Sequence, residues 1–344
     1  MSQQTGAGQT VRPMAAAVLI ATMSTAGAAQ ADVTLKLTNV FADTHFTNVE
    51  GIKPFIEAVE AATGGKVKFE LFPGAQLGKN ASELIGQGLA EGGLVVPSYE
   101  PDKMPLTSVG ELPAMHMTSC EGARKIWAMV QVGGPVYEAE YKPLGLHPIY
   151  AYNLQPYEVH TTEVKVTTLD DLKGLKLRAN GAAQDKTIRA LGGVPVRVTG
   201  PELFDSLSRG TVDGGMWLAF ASKGYSLEKV LKYAVKGTAL GAGGVNIFAV
   251  SDSVWDELDD ATRKILMDAG QAASQRVCTF LDDGDASSTK DLVDNFGFEV
   301  TTLTEAENAR WRDAVSSVAA EWATEMDASG RPGTAILEAY KKLD

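Results

Sequence analysis

The sequence predicts an α/β fold with largely parallel sheets. Short β-branched or alternating segments trade places with helical periodicities along most of the chain, the pattern of strand–helix–strand units. A single helical pattern runs from Asp259 to about Asn295, long enough that it is expected to span more than one domain. The length, 344 residues, suits two domains or one large one.

The first strand is expected at Val33–Val40. Val49, Ile52, Phe55, Ile56 and Val59 then recur at helical spacing, and Gly64-Gly65 stops that helix. Lys66–Leu71 alternates strictly, as a half-buried strand does. A helix over Ser82–Leu89, a strand near Leu94–Ser98, a helix over Glu121–Val130 and a strand over Pro148–Tyr152 follow. Leu175–Ala179 reads as a strand, Gln184–Leu191 as a helix ended by Gly192-Gly193, and Val194–Val198 as the next strand. Pro201 suits the first turn of a helix through Leu207. Val245–Val250 is again a strand. In the long helix Ile265, Leu266, Ala269, Ala273, Val277 and Phe280 share a face, and helical segments continue to the C-terminus with a break at Gly330–Gly333. No low-complexity linker separates domains, which fits chain crossings through a hinge.

Residues 1–31 carry no acid and one cation, Arg12, before an Ala-rich apolar stretch and the small-x-small triplet Ala29-Gln30-Ala31. This is the pattern of a secretory leader cut after Ala31, so the mature chain is expected to be exported, to a periplasm. The net charge is −12, with no basic run, which argues against nucleic acid and anionic membrane surfaces as partners. No later stretch is apolar enough to span a bilayer. Cys120 and Cys278 are too few for a zinc ribbon or a disulfide framework, and the sequence leaves their pairing open.

Catalytic signatures are missing. Gly74–Asn80 mimics a phosphate loop but has one residue too few between its glycines, and Asn80 stands where Ser or Thr would hold magnesium; a tight turn into a helix is the better reading. Gly241-Ala242-Gly243-Gly244 precedes a strand and opens no helix, so it is no dinucleotide fingerprint. The four histidines, His45, His116, His147 and His160, show no metal-ligand spacing, and no G-x-S-x-G elbow is present. No cofactor is implied.

Three segments carry a specific signal: Phe69–Gly78, Leu169–Arg178, and Glu202–Gly214 with its Val212-Asp213-Gly214 ending. In order and spacing, together with Ser251–Leu258 and the long helix, they resemble the substrate-binding proteins of TRAP transporters, the DctP-type family. The resemblance covers essentially the whole mature chain. It implies a two-lobed periplasmic-binding-protein fold with hinge-crossing strands and a long helix spanning both lobes. The corresponding boundaries are a leader at 1–31, one lobe from 32–153 plus 245–283, and the other from 154–244 plus 284–344. It implies no enzymatic activity. The partners it implies are a small organic acid, captured between the lobes, and the permease subunits that receive it.

Arg178 matches the family's carboxylate-binding arginine. A guanidinium fork grips a carboxylate by two parallel hydrogen bonds. Taken alone, Arg178 reads better as a structural arginine paired with a neighbouring acid. Many relatives place a second arginine where this chain has Asn153–Glu158, and Tyr157 is the nearest substitute. Trp217, Tyr99 and Phe41 fall at positions that often face ligand, Asn246 opens the strand after the glycine run, and His45 shares the loop of Phe41. One cation among aromatics favours a small monocarboxylate with an apolar or aromatic body, such as a benzoate-like acid. The alternatives are an aliphatic 2-oxo or hydroxy acid within the same class, an exported enzyme acting on small acids, or a ligand sensor. The missing nucleophile and metal signatures speak against the enzyme. A chain ending at Asp344 without a membrane anchor disfavours a built-in signalling role.

Overall fold

The computed structural model describes residues 1–6, 8, 33–238, 240 and 243–343. The cleavage point after Ala31 and most of the 1–31 leader lie outside the described residues, as do Gly241 and Ala242. The described part of 32–344 builds two mixed sheets.

In chain order the first elements are β1 (Val33–Thr38), α1 (Lys53–Ala62), β2 (Val67–Phe72), α2 (Ala81–Gly86), β3 (Gly92–Val95), α3 (Ser119–Val130) and β4 (Leu146–Asn153). Then come β5 (Glu158–Thr161), β6 (Lys176–Ala179), α4 (Ala182–Ala190), β7 (Val194–Arg197), α5 (Leu203–Ser208), β8 (Gly214–Trp217) and β9 (Tyr233–Lys236). The chain closes with β10 (Val245–Ser251), α6 (Asp252–Glu257), α7 (Asp260–Phe296), β11 (Glu299–Thr302), α8 (Glu305–Val315), α9 (Val318–Ala328) and α10 (Gly333–Lys341).

The first sheet has the order β2-β1-β3-β10-β4 and the second β11-β9-β5-β8-β6-β7. The expectation of largely parallel sheets is corrected here. β10 runs antiparallel to both β3 and β4, and β5 antiparallel to both β8 and β9. These are the strands next to the two crossings between sheets, where the chain returns and must reverse direction. β10 and the edge strand β4 are both buried along their whole length, as strands covered on both faces are. Pro195 lies in β7, an edge strand, where the missing N–H breaks no inner ladder.

The crossings lie side by side. The chain leaves the first sheet after Asn153 and enters the second at Glu158; it leaves the second after Lys236 and returns at Val245. Leu154 N–H donates to Gly244 O at 2.9 Å. A Cβ on Gly243 would stand 2.1 Å from Leu154 O, so glycine is what lets the two crossings touch. The long helix α7 is the third link. Its first part packs on α1, α3 and β4 of the first sheet, and Asp285 and Asp291 further along pair with Lys236 and Lys223 around the second.

Cys120 and Cys278 are bonded, joining α3 to α7 across 158 residues of sequence. The Asp282 carboxylate accepts from Ser119 N–H at 2.6 Å and Cys120 N–H at 3.0 Å, which places an anion at the N-terminus of α3. At the other end of the chain α10 packs on α3 and on the 106–111 turn, and Trp322 Nε1–H of α9 donates to Ser108 Oγ at 2.9 Å.

Candidate functional site

Strand ends build one cavity between the sheets. β1 leads to Phe41 and His45, and β3 to Ser98 and Tyr99. β6 ends two residues before Gly181 and delivers Arg178 and Asn180; β7 leads to Gly200, and β8 ends at Trp217. All five strands contribute through their C-terminal ends, the place where open α/β sheets present ligands. Asn246 enters from the start of β10 and Tyr157 from the first crossing. All seven residues singled out in the sequence, Phe41, His45, Tyr99, Tyr157, Arg178, Trp217 and Asn246, therefore line the same cavity. Its volume is about 40 Å³. That is room for about three waters. A second groove between α3 and α7 is larger, but its charged residues, Arg124 and Asp268, are both exposed.

Arg178 is the centre of the site. It is 1 % exposed, yet among the described residues no carboxylate comes within ion-pair distance of it. Its Nε donates to Val198 O at 2.9 Å and its Nη1 to Met216 O at 3.4 Å, so backbone carbonyls fix the fork's direction without neutralising it. Cζ lies 5.1 Å from the Trp217 ring centroid, a cation–π contact. Room for the side chain comes from Gly215, its partner across the parallel β6–β8 pair; a Cβ there would sit 2.8 Å from Arg178 Cβ. The acid that feels the Arg178 charge, Glu111, lies beyond ion-pair distance, and burial raises its pKa to about 7, so it is no full counter-ion.

The opposite wall is aromatic. Phe41 stacks on His45 with centroids 4.4 Å apart and meets Tyr99 edge-on at 6.3 Å. Burial is the main cause that raises the phenol pKa values of Tyr99 and Tyr157, and the Arg178 charge opposes it in both. Both are neutral donors at physiological pH.

Three hydrogen bonds cross the cavity, one of them from Asn180 Nδ2 to Ser98 Oγ at 3.4 Å. Gly200 N–H donates to Tyr99 Oη at 2.9 Å. His45 Nε2 and Tyr225 Oη lie 2.8 Å apart. Thr47 N–H donates to His45 Nδ1 at 3.3 Å, so Nδ1 is the acceptor and the proton sits on Nε2, which donates to Tyr225. Burial lowers the His45 pKa to about 3, which keeps the ring neutral. An ion pair between Lys79 and Glu202, 3.0 Å, joins the rims.

Sequence reasoning missed Tyr225 and Asn180. Asn180 stands two residues after Arg178, the period that returns a strand residue to the same face, so its signal was present. Tyr225 lies in single helical turns at 219–229 that carry no periodicity.

Two sheets, paired crossings and a cleft at strand ends define a two-lobed ligand-binding protein. The family model for bacterial extracellular solute-binding proteins, family 7 (DctP), matches residues 39–325, and the chain belongs to that family. As a member of that family it is a solute-binding protein. Among the described residues no helix is long and apolar enough to cross a membrane. A solute-binding protein of Albidiferax ferrireducens is 22% identical over 285 residues, 78% of this chain and 79% of the relative. Two solved structures share the fold. A marine metagenome TRAP solute-binding protein specific for aromatic acid ligands, in complex with 3-hydroxybenzoate, superposes with a TM-score of 0.83 at 22% identity, covering 91% of this chain and 98% of that one. A TRAP solute-binding protein from Rhodoferax ferrireducens, in complex with copurified benzoate, gives 0.82 at 21% identity, covering 90% and 97%.

Proposed function

We propose that the protein is exported, with its leader cut after Ala31, and captures a small aromatic monocarboxylate for delivery to its permease without changing it chemically. The observation that carries this reading is the buried Arg178, with no carboxylate within ion-pair distance among the described residues. A buried charge is costly unless paired, and a ligand carboxylate is the missing partner. The water-poor cleft strengthens that pair. Phe41, Tyr99 and Tyr157 offer the flat apolar surface, Trp217 backs the guanidinium, and Asn246 and His45 complete the lining.

The lobes are residues 32–153 with 245–283 and residues 154–244 with 284–344. The ligand, touching both, shifts the population towards the closed form that the permease recognises. The aromatic wall and the ligands of the two structural neighbours, benzoate and 3-hydroxybenzoate, favour a ring acid.

A thermal-shift screen of residues 32–344 against aromatic, 2-oxo, 2-hydroxy and dicarboxylic acids tests this. A ligand at about 100 times its Kd adds roughly 2.7 kcal/mol to stability. Aromatic monocarboxylates are expected to raise the melting temperature by several degrees. A shift with aliphatic acids alone would remove the ring, and no shift with any carboxylate would remove the acid.

A further inference from the structure

Two polar atoms at the cleft have no partner within the protein. The Trp217 indole Nε1–H and the Asn180 carbonyl Oδ1 are buried and make no hydrogen bond. Their residues are 4% and 7% exposed, and both line the cavity around Arg178. The first atom can only donate and the second can only accept.

The sheet sets their placement. β6 and β8 pair in parallel with Arg178 opposite Gly215. Trp217 stands two residues after Gly215 in β8, Asn180 stands one residue past the end of β6, and both line the cavity with Arg178. The guanidinium fork, the Asn180 amide and the Trp217 indole are thus neighbours on one wall. Asn180 is held in place: its backbone N–H donates to Gln184 Oε1 at 2.9 Å and its Nδ2 to Ser98 Oγ at 3.4 Å, leaving Oδ1 over. Trp217 is held by the Arg178 guanidinium against its ring and by Tyr225 edge-on at 5.2 Å, leaving its N–H over.

Buried polar groups in folded proteins are nearly always satisfied, and an orphan costs the protein its full desolvation penalty. One ligand group answers both orphans. A hydroxyl accepts from an N–H and donates to a carbonyl oxygen through the same atom. An unsubstituted ring acid offers no donor, so it leaves at least the Asn180 oxygen unanswered. We infer that the ligand is a hydroxylated aromatic monocarboxylate whose hydroxyl bridges Trp217 Nε1 and Asn180 Oδ1. This specificity rests on the carboxylate role proposed for Arg178 and adds a second recognition point beside it.

The test is the ratio of Kd for benzoate to Kd for the best of 2-, 3- and 4-hydroxybenzoate, measured by calorimetry on the wild-type protein, Trp217→Phe and Asn180→Ala. Trp217→Phe keeps a ring and removes the N–H; Asn180→Ala removes the acceptor. The wild-type ratio is expected at roughly 10 to 100, the range set by one or two unsatisfied buried groups. Each variant should bring it below about 3, whatever it does to overall affinity. A wild-type ratio near one overturns the inference without any variant having to fold. A high ratio unchanged in both variants removes these two residues from hydroxyl recognition and overturns it as well. If other carboxylates bind and no ring acid does, the inference fails and Arg178 keeps its role. If no carboxylate binds, both fall together.

Discussion

The two walls of the cleft are built differently. On the side of the second sheet, Arg178, Asn180 and Trp217 come from adjacent strands, β6 and β8, whose register fixes their spacing, and carbonyls of Val198 and Met216 hold the guanidinium. On the side of the first sheet, Phe41, His45 and Tyr99 come from loops after β1 and β3 and hold one another by ring contacts. The first wall is polar and rigid, and it reads a ligand's charge and hydrogen bonds. The second is apolar and reads shape. A site divided this way places its directional contacts on the stiffer element, where small displacements are least tolerated.

Substitutions can separate the two walls. The largest effect is expected for Arg178→Met, which keeps an unbranched side chain and removes the charge. Carboxylate affinity should fall at least ~100-fold while the melting temperature of the ligand-free protein holds or rises, since a buried unpaired charge is removed. A smaller, selective effect is expected for Phe41→Leu, which keeps apolar volume and loses the ring. Aromatic acids should weaken about 5- to 10-fold more than aliphatic acids of equal charge, in calorimetric titrations of both. An equal loss for the two classes would make that wall a filler and not a reader of shape. The smallest effect belongs to Tyr225→Phe, which removes only the bond from His45. Ligand dissociation, followed by stopped-flow fluorescence, should speed up a few-fold, the worth of one neutral hydrogen bond. Because His45 titrates at about 3, that change should be the same at pH 5.5 and pH 7.5. A pH-dependent effect would mean that His45 is charged in the closed form.

How much of this was legible depended on chemistry more than on length of pattern. Helices with a clear apolar face, such as α1, α3 and α7, were placed to within a few residues, because a stripe repeated over several turns survives local exceptions. β5, β8, β9 and β11 were missed. Each is four residues long, but so are β3, β6 and β7, which were placed, so shortness alone does not account for the miss. β8 begins with Gly214-Gly215, a poor strand sequence. The structure explains those glycines: a Cβ at Gly214 would meet His160 O at 2.2 Å, and one at Gly215 would meet Arg178 Cβ at 2.8 Å. The residues that make room for the central arginine are the same ones that hid its neighbouring strand.

Of the site, Arg178 and Trp217 were reached through motif resemblance, and the aromatic residues through their position after strands. No local pattern could join Cys120 to Cys278 across 158 residues, or His45 to Tyr225. Those pairs are made by the crossings between sheets, and such contacts leave no mark on either segment alone.

The central claim is that an unpaired buried guanidinium selects a carboxylate. Its most direct measurement is calorimetric titration of wild-type protein and Arg178→Met with the best-binding ring acid and with its neutral amide. The wild type should favour the acid over the amide by roughly 100-fold or more, and Arg178→Met should show little preference between them. A wild-type protein that binds acid and amide alike, or a variant that still prefers the acid as strongly, would contradict the account.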